Sequence, residues 1–171
     1  MTFFKGYRTK YVHNAIVLNA RPDDIWREIT NVGVADFDFP WLFRLLGVPK
    51  PLSAEVIKEG VGGYRVAKFS NGAEFHQNIL EWEVNRKYRF QFNATQNFRV
   101  GHFMNLSKGP FQILTGGYDL LDHEDGILLI LSSNYELHGI LGRLMHLSFR
   151  WVVYAFQKHL LKGIALNLEQ K

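Results

Sequence analysis

Apolar and polar residues alternate along much of the chain with the period of a β-strand. The clearest stretch is Tyr88-Arg89-Phe90-Gln91-Phe92-Asn93, which places three rings on one face of a half-buried strand. Segments rich in β-branched and aromatic residues, bounded by polar residues or glycine, predict further strands. The seven predicted strands span residues 11–20, 54–58, 64–69, 73–83, 88–93, 114–121 and 127–137.

Turn signals between these segments predict hairpin connections. Residues 59–63 form a glycine-rich turn, and Asn85-Arg86 and residues 122–126 mark two more. Asn71-Gly72 predicts a type I′ turn, in which both central residues have positive φ. Residues 94–112 have no clear period. We expect a long connection there, with one short helix carrying His102, Phe103, Met104 and Leu106.

Helical periodicity is confined to two parts of the chain. Pro22, followed by two acidic residues, predicts a helix start after the first strand, and a second short helix is expected within residues 40–47. Residues 139–169 contain no proline and carry apolar residues at helical spacing, which predicts one long C-terminal helix. The order of elements predicts a single α+β domain over residues 1–171, with a curved antiparallel sheet wrapped on the long helix.

The face that this helix turns toward the sheet is expected to include Ser148, Ala155, His159 and Gly163, flanked by Trp151, Phe156 and Leu160. Small residues between large ones favour a hollow between helix and sheet. Close helix–sheet packing is the alternative, because bulky residues on the sheet could fill the space.

Composition narrows the classes of function. Of the 171 residues, 47% are hydrophobic and 15% aromatic, which excludes a disordered chain and requires a thick core or a lined cavity. Without cysteine there is no disulfide, thiolate nucleophile or Cys-ligated metal. The net charge of +4 comes from scattered basic residues, which argues against nucleic acid as a partner. No apolar run approaches the roughly 20 residues of a membrane span, and no signal peptide is apparent, so we expect a cytoplasmic protein.

Three stretches together resemble a known group. They are residues 15–26, a strand leading into the Pro-acid-acid-x-Trp helix start; residues 75–92, two strands joined at Asn85-Arg86; and residues 117–144, the last hairpin feeding the long helix. In order and spacing they resemble the polyketide cyclase/dehydrase and lipid-transport group of START-like (SRPBCC) proteins, which share the helix-grip fold of the birch pollen allergen. The resemblance implies a deep apolar cavity between sheet and helix. It implies no single chemistry, since this superfamily includes carriers, hormone sensors and cyclases.

Residues that could line such a cavity come from four sources: strand faces, buried polar groups, the last helix, and two aromatic connections that could cap a mouth or simply pack in the core. The candidate ligand-binding residues are Phe37, Phe39, Trp41, Phe43, Phe75, Gln77, Ile79, Phe90, Phe92, Phe103, Met104, Tyr118, Tyr135, Ser148, Trp151, Val152 and Ala155.

Acid–base chemistry would need a titratable side chain in the cavity, for which His76, His102, Glu74 and Tyr118 are candidates. Phe75 and Ile79 have the opposite parity to His76 and look more like the inner face of their strand. No zinc-binding H-E-x-x-H, paired-carboxylate or G-x-S-x-G motif is present, so we predict no metal and no cofactor.

Three functional hypotheses follow. The leading one is binding of a hydrophobic small molecule, such as a lipid, isoprenoid, sterol-like compound or aromatic polyketide. The alternative is an acid–base enzyme of the polyketide cyclase/dehydratase type using the same cavity. A third is an interaction protein whose aromatic segment, residues 37–43, docks on a partner or forms a homodimer.

Overall fold

The computed structural model describes residues 8–33, 39–45, 47–92, 99–100, 104–105 and 110–170. Its strands are β1 (Arg8–Leu18), β2 (Asn31–Gly33), β3 (Pro51–Lys58), β4 (Tyr64–Phe69), β5 (Glu74–Glu83), β6 (Lys87–Phe92), β7 (Arg99–Val100), β8 (Met104–Asn105), β9 (Phe111–His123) and β10 (Gly126–Leu137). Its helices are α1 (Pro22–Thr30), α2 (Trp41–Leu45), α3 (Gly139–Leu144) and α4 (His146–Glu169).

Eight strands form one antiparallel sheet in the order β1-β10-β9-β6-β5-β4-β3-β2. The sheet curls into a half-barrel around the long C-terminal helix, as the order of elements predicts. All seven predicted strands are present. The eighth, β2, pairs with β3 and was not predicted, because three residues are too few to show a period.

The connection after β6 differs from the prediction. Instead of a short helix around Met104, the described residues form a second, two-stranded sheet in which Val100 pairs with Met104. Met104 is therefore in a strand. Gly101 and Gly109-Pro110 interrupt the segment, which leaves no stretch long enough for a helical period to establish itself.

The C-terminal helix is also not continuous. Met145 ends α3 with φ −90° and ψ 4°, and α4 begins at His146. The buried face of α4 includes Phe149, Val153, Gln157 and Leu161, whereas Ser148 and Trp151 face solvent. The predicted inward face is therefore rotated from the observed one. Apolar residues occur on every side of α4, so their spacing alone does not define which side is buried.

The hairpin between β4 and β5 has a different turn from the predicted type I′. Gly72 has φ 78°, but Asn71 does not have positive φ. The Gly72 N–H donates to the Phe69 carbonyl at 3.0 Å, and the Phe69 N–H donates to the Ala73 carbonyl at 3.0 Å. A longer loop with one glycine in the left-handed region closes this hairpin equally well.

Two buried clusters make up the core of the described residues. The larger surrounds α1 and includes Trp26, Ile79, Tyr88 and Tyr118. The smaller lies below the start of α4, where Phe111 stacks on Phe149 with ring centroids 4.1 Å apart. Members of both clusters border a cavity between the sheet and α4.

Candidate functional site

A cavity of about 200 Å³ lies between the inner face of the sheet and α4. Its wall is mostly apolar, with aromatic rings from β4, β5, β6 and α4. The described lining residues are Val32, Val48, Pro49, Pro51, Ser53, Ala54, Arg65, Ala67, Phe69, Phe75, Gln77, Phe90, Phe92, Ile113, Gly116, Tyr118, Leu131, Ser133, Phe149, Val152, Val153, Phe156, Gln157 and Leu160.

Arg65 is the charged residue among these lining residues. It lies on β4 directly opposite Gln77 of β5, in the parity that also turns Ala67 toward the cavity. Only 4% of Arg65 and 3% of Gln77 is exposed. Cross-strand partners have Cβ atoms about 5 Å apart, so the guanidinium and the amide share one part of the cavity wall.

The Arg65 guanidinium is held by rings and not by a carboxylate. Its central carbon lies 4.5 Å from the centroid of the Phe90 ring and 5.7 Å from that of Tyr88. Nε and Nη1 are buried without a hydrogen-bond partner. A desolvated cation–π contact stabilises by about 2 kcal/mol, whereas burying an unpaired ion costs several kcal/mol. The rings alone do not offset the cost of burying this charge.

Two buried tyrosines adjoin the guanidinium. Burial raises the pKa of Tyr118 and of Tyr88 above the ordinary tyrosine value, although the positive charge of Arg65 opposes the rise in both. Both phenols are therefore neutral near physiological pH and supply no negative charge to Arg65. The Tyr88 hydroxyl and the Gln77 Oε1 also have no hydrogen-bond partner. Tyr88 is fully buried and is not among the lining residues, so the unsatisfied atoms of the described cavity wall are Nε and Nη1 of Arg65 and Oε1 of Gln77.

Gly116 makes room for the ring on which Arg65 rests. A Cβ at this position would lie 2.8 Å from Cε2 and 2.9 Å from Cζ of Phe90, its partner across β6 and β9. A side chain would therefore displace the Phe90 ring. Gly116 therefore lets the Phe90 ring pack closely against β9 in the cavity wall, in addition to any bending of the sheet.

The opposite wall carries a polar group of a different kind, which we call the α4 network: Asn14, Ser133 and Gln157. Gln157 Nε2 donates to Ser133 Oγ at 3.0 Å and to the Val12 carbonyl at 3.4 Å. Asn14 Nδ2 donates to Gln157 Oε1 at 3.1 Å and to the Tyr154 carbonyl at 3.1 Å. These bonds tie α4 to β1 and β10, so the polar atoms of Gln157 are satisfied by the protein itself.

No protein-family model and no curated protein matches the chain. Solved structures do match it over nearly its whole length. Protein MLL2253 from Mesorhizobium loti is 14% identical with a TM-score of 0.56, covering 96% of this chain and 98% of its own. Protein NE0264 from Nitrosomonas europaea is 17% identical with a TM-score of 0.53, covering 94% of each chain. Norcoclaurine synthase from Thalictrum flavum, in complex with dopamine and hydroxybenzaldehyde, is 19% identical with a TM-score of 0.56, covering 96% of this chain and 90% of its own.

The chain has the helix-grip fold of START-like proteins. At these identities the likeness extends to the fold, and the chemistry of the site has to be argued from this chain's own residues. No helix among the described residues is long and apolar enough to cross a membrane.

Six of the predicted ligand-binding residues line the cavity of this helix-grip domain: Phe75, Gln77, Phe90, Phe92, Tyr118 and Val152. Val152 lies on α4 and the other five lie on strands. The alternation of β6 places Phe90 and Phe92 on one face, whereas for β5 the sequence favoured the parity of Phe75 without deciding it. Their role in binding remains a prediction. Phe37 and Phe103 lie outside the described residues, and the side chain of Met104 is not described.

Four other predicted residues are buried away from the cavity. Ile79 packs in the larger cluster near α1. The ring centroids of Phe39 and Phe43 are 5.5 Å apart, and that of Phe43 is 6.5 Å from that of the lining residue Phe156. These two rings therefore pack behind the cavity wall. The Tyr135 hydroxyl is partnered by His146 Nε2 at 3.0 Å, which leaves it no need of a ligand.

The remaining four are not brought to the cavity either. Trp41 is 73% exposed and Trp151 49%, while Ser148 faces solvent. Ala155 is half-buried but is not among the lining residues. For the three residues of α4 the cause is the rotated helix face described above.

Of the acid–base candidates, Tyr118 lines the cavity and His102 lies outside the described residues. His76 is exposed and stacks on Tyr64 with ring centroids 6.4 Å apart, and Glu74 is exposed in the same parity. Both therefore belong to the outer face of the sheet. One group within the described residues has metal-ligand spacing, His123, Glu124 and Asp125, but it lies in an exposed turn.

Arg65 and Gln157 were not singled out from the sequence. The β4 sequence Tyr64-Arg65-Val66-Ala67-Lys68-Phe69 has apolar residues in both parities, and a charged residue is assigned to the outer face by default. One signal was available. Ala67 and Phe69 continue the parity of Arg65, whereas Lys68 has the other parity, so an inward Arg65 could have been considered.

Proposed function

We propose that the protein binds a small hydrophobic molecule in the cavity between the sheet and α4. The observation that carries this proposal is the cavity of about 200 Å³, walled by rings and aliphatic side chains where a solid core would otherwise be expected. A cavity of about 150 Å³ admits benzene. The space therefore suits a short aliphatic chain or one to two rings better than a large lipid or a sterol.

The fold supports the same proposal. Norcoclaurine synthase, which shares the helix-grip fold, was solved in complex with two small aromatic compounds. In this chain affinity would come mainly from apolar burial, at about 25 cal/mol per Å². A few polar groups in the wall would then fix the orientation of the ligand.

An acid–base enzyme using the cavity is the second candidate, favoured by the presence of Tyr118 in the wall. The described lining residues include no His, Asp, Glu or Lys, and the raised pKa of Tyr118 makes it a poor base near neutral pH. Binding without chemistry is therefore the better supported function.

Calorimetric titration with 1-octanol and octanoate, two probes that share one alkyl chain, tests the binding proposal. We expect at least one probe to bind, and Ala67→Leu to weaken binding roughly tenfold or more, because Ala67 lines the cavity and the added carbons would occupy it. Ala15→Leu is the matched control, since it makes the same change at an exposed position of β1. Absence of binding by both probes, or equal weakening by both variants, would contradict the proposal.

A further inference from the structure

The charge of Arg65 has no counter-charge in the described part of the chain. A guanidinium keeps its charge in proteins, and no carboxylate is among the described lining residues. Two of its nitrogens are buried without any acceptor. The nearest comparison within the protein is Arg89, on the neighbouring strand β6, which is paired with Asp119 and also donates to the Tyr118 carbonyl. Among the described residues, Arg89 thus has a carboxylate partner and Arg65 has none.

The described groups near Arg65 do not supply the missing charge. Tyr88 and Tyr118 stay neutral because burial raises the pKa of each. Asp119 is engaged by Arg89, and Glu74 is exposed on the outer face of the sheet. A buried charge is retained in proteins when something pairs with it, so the partner of Arg65 is expected to enter with a ligand.

We propose that the cavity selects a small hydrophobic monocarboxylate, whose carboxylate pairs with Arg65 while its apolar part fills the space against α4. This inference rests on the proposed function and adds the chemical class of the ligand. A guanidinium meets both oxygens of a carboxylate through Nη2 together with either Nε or Nη1, and both Nε and Nη1 of Arg65 are buried without a partner. Gln77 offers a further hydrogen bond beside it, since the amide can present its N–H₂ or its oxygen.

A carboxylate fits better than a phosphate monoester because of charge. A phosphate monoester carries about −1.5 to −2 charges near neutral pH, and the single positive charge of Arg65 would leave part of that buried and uncompensated. One carboxylate balances one guanidinium. The uncharged ligand of the same shape leaves Arg65 unpaired, so the ionic form is expected to bind more tightly.

The experiment is calorimetric titration of the full chain with octanoate, 1-octanol and octyl phosphate at neutral pH. In the wild type we expect octanoate to bind roughly tenfold or more tightly than either other probe. Arg65→Met should abolish this preference, so that in this variant octanoate binds no more tightly than 1-octanol. Arg65→Lys keeps the charge without the fork, and should retain only part of the preference. Arg89→Met is the matched control, because Arg89 is paired with Asp119 and is not among the lining residues. This variant should keep the full preference for octanoate.

Gln77→Glu is a second, independent test. It places a carboxylate directly opposite Arg65 across β4 and β5, within reach of the guanidinium. The internal pair should exclude the ligand carboxylate, so octanoate binding should fall by roughly tenfold or more. Melting curves of each variant establish that it is folded.

The outcomes separate the two proposals. Equal binding of octanoate and 1-octanol, or a preference for octanoate that survives Arg65→Met, overturns the carboxylate inference and leaves the proposed cavity function standing. Preference for octyl phosphate overturns the choice of carboxylate. Failure of all three probes to bind overturns both.

Discussion

The cavity has two polar walls, and the protein treats them in opposite ways. On one side the α4 network is closed, because every polar atom of Gln157 has a partner in Asn14, Ser133 or the backbone. On the other side Nε and Nη1 of Arg65 and Oε1 of Gln77 have no hydrogen-bond partner among the described residues. Gln157 and Arg65 are both almost fully buried, with 2% and 4% of each residue exposed, so burial does not distinguish them. The two walls differ in whether their buried polar atoms have hydrogen-bond partners.

The difference separates what holds the fold together from what is available to a ligand. A satisfied polar network adds stability and specifies one arrangement of helix and sheet. An unsatisfied buried group lowers stability and is retained for another reason. We therefore call the α4 network the structural wall and the Arg65 side the proposed binding wall.

The largest change in stability should come from removing the hydrogen bonds of the α4 network. Gln157→Ala removes the hydrogen bonds to Ser133 and the Val12 carbonyl, leaves Asn14 without its side-chain acceptor, and enlarges the cavity. We expect the free energy of unfolding to fall by about 3 kcal/mol, measured by urea denaturation. Lys158→Ala, at the next and exposed position of α4, is the control and should change stability little. An unchanged midpoint in Gln157→Ala would show that the network contributes nothing.

Replacing Arg65, on the other wall, should raise the free energy of unfolding instead of lowering it. Arg65→Met keeps the aliphatic stem and removes the unpaired charge, so in the absence of ligand we expect the protein to gain about 1–3 kcal/mol of stability. Urea denaturation again provides the measurement. Destabilisation as large as that of Gln157→Ala would mean that Arg65 is a satisfied structural residue, and the contrast between the two walls would fail.

Much of the fold could be predicted from the sequence, for identifiable reasons. The rings of Tyr88, Phe90 and Phe92 share a parity with no competing signal, and Asn85 with φ 63° marks the turn before them. These features are local, and local pattern is what a sequence records directly. The break at Met145 was missed, because no proline or glycine marks it and both α3 and α4 are apolar.

The site was predicted less completely, since it depends on which groups lack partners. Residues such as Phe75, Phe90 and Phe92 could be placed in the wall by strand parity. The contrast between Arg65 and Gln157 could not be predicted from the sequence, because the hydrogen-bond partners of a buried polar atom are often distant in sequence. Gln157 bonds to Asn14, 143 positions away.

The smallest expected effect concerns a third polar contact, between His146 at the start of α4 and the Tyr135 hydroxyl, which lie 3.0 Å apart. Burial, with the positive charges of Lys10 and Arg150 nearby, lowers the pKa of His146 below the ordinary histidine value. The unfolded chain then binds a proton more readily than the folded one. Stability should therefore decline as pH falls below about 6.5 and level off below the folded pKa of His146.

Urea denaturation between about pH 7.5 and 5 tests this against His146→Gln, which keeps a hydrogen-bonding group beside Tyr135 but does not titrate. We expect the variant to lose less stability across this range than the wild type. His123→Gln, at the exposed C-terminal end of β9, is the control and should follow the wild type. Identical slopes for all three proteins would show that His146 is not coupled to folding. A smaller slope in His146→Gln alone would place this contact with the α4 network, among polar groups that the protein satisfies for stability and not for a ligand.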